Sequence, residues 1–83
     1  MDPSARNLAL RRLLEGYRFR VQSRSRVVAK ARIDANAVVL EFTDAPKRPV
    51  SIELPEGFDI EASDHIAWLF FNIERALTKP PGT

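Results

Sequence analysis

The chain contains no cysteine. That excludes a disulfide framework and a thiolate metal site, and it suits a reducing cytosol. Histidine occurs once, as His65, too few for an imidazole metal centre. Catalysis by His65 would need a nucleophile or carboxylate beside it, and the pattern places none. The three glycines are scattered, so no glycine-rich loop cradles a phosphate. The longest apolar run covers residues 66–71, far short of the roughly 20 residues a membrane helix needs. The N-terminal residues lack the basic-then-apolar layout of a secretory signal. These absences point to a cytoplasmic, non-enzymatic protein with no metal, no cofactor, no small-molecule substrate and no membrane attachment.

What is present is charge, unevenly placed. Through Ile33 the chain has nine basic and two acidic residues, so +7; from Asp34 onward it has four basic and nine acidic, so −5. The net is only +2. Such a split either joins two parts of a small fold or presents a basic face to a partner. With 83 residues and an apolar fraction of 45%, residues 1–83 are expected to form a single domain with a modest core.

The hydrophobic period changes along the chain. Leu10, Leu13, Leu14 and Tyr17 recur at helical spacing, which predicts a first helix over 2–15 with Asp2 as its cap and Gly16 as its stop. Over 17–54 the period is two. Tyr17, Phe19 and Val21 alternate with Arg18 and Arg20. A polar turn over 22–26 follows. Val27, Ala29, Ala31 and Ile33 then alternate with Lys30 and Arg32. Asp34-Ala35-Asn36 reads as a turn, because Asp and Asn tolerate left-handed backbone. Val38, Leu40 and Phe42 form a third strand; 44–48 is a loop; Val50, Ile52 and Leu54 form a fourth. Pro49 argues that this last strand is an edge. In register, Ile33 faces Val38, Ala31 faces Leu40, Ala29 faces Phe42 and Lys30 faces Glu41. Leu40 is expected opposite Ile52, and Phe42 opposite Val50. Residues 55–62 read as a connector. A second helix over 63–78 follows, with Ser63 as cap and Asp64, Arg75 and Lys79 suiting its dipole. Residues 79–83 read as a flexible tail. The expected class is α+β: helix, four-stranded antiparallel meander, helix, both helices on one face of the sheet.

Two surfaces stand out. Ile66, Leu69, Phe70, Ile73 and Leu77 form the stripe that should pack on the sheet. Trp68, Phe71 and Arg75 then fall on the opposite side, where a covering helix should be polar. Either the first helix or the tail packs over that aromatic pair, or the pair contacts a partner. The leading reading is a small regulatory or inhibitory protein-interaction module docking on itself or on another protein through Trp68, Phe71 and Arg75. Homodimerisation is its expected form. The alternative is nucleic-acid binding by Arg18, Arg20, Arg24, Arg26, Lys30 and Arg32 of the basic half. Against it stand a solvated face with cross-strand ion pairs, and Glu41 and Glu53 on the same face. The element order resembles that of double-stranded RNA-binding domains. Those have three strands and a lysine-rich start to the last helix, where this chain has Ser63-Asp64-His65. No stretch carries a motif that names a family.

Overall fold

A computed structural model describes residues 3–78. The expected cap Asp2, the dipole partner Lys79 and the expected tail 79–83 lie outside the described residues. The elements run α1 (Pro3–Leu14), β1 (Arg18–Val21), β2 (Arg24–Asp34), β3 (Ala37–Phe42), β4 (Ala45–Glu53) and α2 (Ser63–Thr78). The four strands form one antiparallel meander in the order β1-β2-β3-β4. β1 and β4 are therefore the edges, and β4 carries both Pro46 and Pro49. An edge tolerates proline because no neighbouring strand needs its missing N–H.

One face of the sheet meets both helices. Leu10 and Leu14 of α1, Phe19, Val28, Ala31, Val38, Leu40 and Phe42 of the sheet, and Leu69, Ile73 and Leu77 of α2 share one buried cluster. α1 lies along β2, whereas α2 reaches β4 and β1, the two edges, and so spans the sheet. Leu13 and Tyr17, expected to be buried beside Leu10 and Leu14, remain exposed. α1 ends at Leu14, and Gly16 at φ 80° turns the chain into the sheet. Tyr17 thereby leaves the helical period. Its C=O accepts from the Val28 N–H at 3.0 Å, while the Gly16 N–H donates to the Val28 C=O at 2.9 Å.

β2 departs from simple alternation. Val28 lies opposite Phe42, Lys30 lies opposite Glu41, and Ala29 between them has no partner. This is a β-bulge. It corrects the expected pairing of Ala29 with Phe42: Val28 is buried and Ala29 exposed. Beyond the bulge Ala31 meets Leu40 and Ile33 meets Val38, as expected. Before the bulge the parity of β2 is reversed, so Arg24 and Arg26 lie opposite the inward-facing Val21 and Phe19.

The turns are tighter than the sequence suggests. Only Gln22-Ser23 separates β1 from β2, with Gln22 at φ 57°, so Arg24 and Arg26 belong to a strand rather than to the turn. Phe42 pairs with Ala45 across Thr43-Asp44. Leu40 then pairs with Val50 and Val38 with Ile52, two residues away from the expected register. The difference is absorbed by 46–49, which bulge out of the ladder and carry both prolines.

At the β2–β3 turn the left-handed residue is Ala35, at φ 55°, rather than Asp34 or Asn36. A Cβ in that region costs about 1–2 kcal/mol. Ala35→Gly is therefore expected to stabilise the fold by about 0.5–1 kcal/mol after glycine's larger unfolded-state entropy is subtracted. The check is a higher urea midpoint at unchanged slope; a lower midpoint would mean the turn carries no strain.

The connector over 55–62 is part of the core. The Phe58 N–H donates to the Pro55 C=O at 3.2 Å, closing a turn whose third residue, Gly57, has φ 78°. This conformation suits glycine, and it delivers the Phe58 ring into the cluster. The Asp59 N–H donates to His65 Nδ1 at 2.9 Å, and the Phe58 and His65 rings lie 5.8 Å apart. His65 thus holds the connector against α2. The Ile66 N–H donates to the Ala62 C=O at 3.1 Å. Ala62 is therefore the cap residue, and Ser63 the first helical residue.

Candidate interaction surfaces

α2 buries the stripe its spacing implies. Leu69 and Ile73 are fully buried and Leu77 nearly so, with Ile66 and Phe70 packed against the cluster. At 100° per residue the remaining side of the helix carries Asp64, Trp68, Phe71 and Arg75. All four are exposed, Trp68 by 38% and Phe71 by 62%. α1 packs on β2 and leaves the two rings open to solvent. The remaining cover considered from sequence, the tail, lies outside the described residues. The Asn72 Nδ2 donates to the Trp68 C=O at 2.8 Å, tying that side chain back to its own helix. The neighbouring Phe70 points the other way, 4.9 Å from Tyr17 and 5.7 Å from Phe19.

The basic residues divide between the two faces of the sheet. Arg18, Arg20, Lys30 and Arg32 are exposed on the side without helices. None makes an ion pair among the described residues. The register sets Lys30 across from Glu41, but no salt bridge closes between them. Glu53 shares that face through β4.

Arg24 and Arg26 lie on the helix-bearing side, which breaks the expected six-residue patch. The bulge at Ala29 is the cause. Arg26 Nε donates to both Asp44 oxygens, at 3.0 and 3.2 Å. Its guanidinium carbon sits 4.9 Å from the centroid of the Phe42 ring. Stacked and paired in this way, Arg26 covers the end of the core and is not free for a phosphate. A groove of about 770 Å³ opens beside it, lined in part by Arg24, Arg48, Val21, Val50 and Leu77. The last turn of α2 borders the groove, and the negative end of the helix dipole offsets the arginines there.

Compared with protein-family models, with curated proteins and with solved structures, the chain matches none. Among the described residues no group of three or more His, Cys, Asp or Glu stands close enough to hold a metal, and no helix is long and apolar enough to cross a membrane.

Two structural residues escaped the sequence reading. Phe58 sat in a polar connector, and the Pro55-Glu56-Gly57 turn ahead of it was the available signal. Leu54 is not among them: it continues the β4 alternation, as expected, and lies in the core just past the strand's end. Arg26 looked like one more surface charge, and no pattern in the sequence marked the bulge that turns it inward.

Proposed function

We propose that the protein is a non-enzymatic interaction module that docks through the outward ridge of α2, with Trp68, Phe71 and Arg75 as its anchors. The observation that carries this reading is the exposure of Phe71 and Trp68 on a helix whose other side already fills the core. Phe71, exposed by 62%, leaves most of its ring surface outside the core and open to a partner. Trp, aromatic and Arg side chains are the residue types that dominate binding energy at interfaces. A regulatory or inhibitory role fits a module of this size that acts by occupying a partner's surface. The test is the double variant Trp68→Ala, Phe71→Glu, which is expected to lose association and keep the fold.

A second reading is favoured by a separate observation, the exposed Arg18, Arg20, Lys30 and Arg32 on one sheet face without helices, none of which makes an ion pair among the described residues. Four phosphate contacts would give a log–log salt slope of about −3.6, or roughly a hundredfold loss of affinity between 50 and 200 mM salt. The expected result for a fluorescent duplex is that slope, reduced by about 2 units in Arg18→Ala, Arg20→Ala. No binding at low salt would end this reading. It stands second because Glu41 and Glu53 share the same face.

A further inference from the structure

We propose that the occupant of the α2 ridge is a second copy of the chain, packed antiparallel about a two-fold axis. This rests on the docking reading above and names its partner. The ridge residues Asp64, Trp68, Phe71 and Arg75 are spaced four, three and four apart. That order of spacings reads the same from either end. At 100° per residue the four positions fall within about 60° of one another, so they form one straight ridge on the helix. Its midpoint lies between positions 69 and 70.

A two-fold axis through that midpoint pairs each position with its mirror. Trp68 meets Phe71 of the second copy, and Phe71 meets its Trp68. At each end, about 8 Å from the axis along the helix, Asp64 meets Arg75 of the second copy. The chemistry is complementary at every position: ring on ring in the centre, carboxylate on guanidinium at both ends. The parallel arrangement would set Asp64 against Asp64 and Arg75 against Arg75. The charges therefore select the antiparallel pairing and oppose the parallel one. Both end residues are available, since neither Asp64 nor Arg75 makes an ion pair among the described residues. An isologous interface of this kind closes at two copies, so it yields a dimer rather than a filament. Nothing in α2 has to move to form it, because Leu69, Ile73 and Leu77 stay in the core on the other side.

The test is sedimentation equilibrium of the full chain at low salt, from micromolar to millimolar concentration. Wild type is expected to dimerise. Asp64→Arg and Arg75→Asp are each expected to weaken the dimer about tenfold, because each turns two attractions into two repulsions. An equimolar mixture of these two variants is expected to form a heterodimer as tight as the wild type, since every end pair is again opposite in sign. The double reversal in one chain should also restore the dimer. A dimer destroyed by Phe71→Glu but indifferent to the charge reversals would overturn the antiparallel arrangement and leave the docking reading standing. A dimer that survives Phe71→Glu would overturn both. A wild type that stays monomeric throughout would overturn the second copy as occupant, and the docking reading would then be judged on other proteins.

Discussion

Phe19→Ala is expected to destabilise the protein by about 3–5 kcal/mol, the usual range for a truncated core phenylalanine. The side chain is 1% exposed and lies in β1, an edge strand of only four residues. Its ring joins separate elements: Tyr17 at 4.6 Å, Phe70 of α2 at 5.7 Å and Phe42 of β3 at 6.4 Å. Removing it opens a cavity at the point where β1 and α2 meet. A domain this small has a total stability on the order of 4–12 kcal/mol. A thermal midpoint lowered by about 15–30 °C is therefore expected. Phe19→Leu, which keeps most of the volume, should lose far less. Urea denaturation of the three proteins decides it. An alanine variant within about 1.5 kcal/mol of wild type would mean that β1 is not held by this cluster.

The double variant Trp68→Ala, Phe71→Glu is expected to show the reverse pattern. Association should weaken by at least about a hundredfold, since central aromatic anchors typically carry 2 kcal/mol or more each. Stability should change little. Phe71 is 62% exposed, and a glutamate there faces water. Trp68 is more covered, so its truncation is the larger structural risk, and Phe71→Glu alone provides the control. Near-ultraviolet circular dichroism and urea unfolding report the fold, while sedimentation reports the assembly. If the single Phe71→Glu protein unfolds, the ridge is part of the core and the docking account fails.

Much of this fold was legible because its apolar alternation has only one sensible partner. Phe19 and Val21, then Val38, Leu40 and Phe42, alternate without ambiguity, and each set is buried as its period implies. The stripe on α2 is equally clear, and the exposed ridge follows from it by geometry. β2 was harder for a physical reason. Val27 and Val28 are adjacent and equally apolar, so strict alternation back from Ile33 and Ala31 turns Val27 inward. The bulge at Ala29 turns Val28 inward before it and keeps the expected parity after it. That single extra residue decides which arginines face the open side of the sheet and which, Arg24 and Arg26, face the helix-bearing side. The β3–β4 register was missed for a related cause: a strand that extrudes 46–49 cannot be counted straight across its turn. The exposure of Trp68, Phe71 and Arg75 was legible from the helical period, but the separation of Arg24 and Arg26 from Arg18, Arg20, Lys30 and Arg32 was not.

Trp68 is the single tryptophan of the chain, and it sits at the centre of the proposed interface. Its emission, followed as protein concentration rises, tests directly whether the α2 ridge is a docking surface. The expected result is a blue shift and a loss of acrylamide quenching as concentration increases, both absent in Phe71→Glu. An emission maximum and a quenching constant that hold steady from micromolar to millimolar protein would contradict self-docking through this ridge.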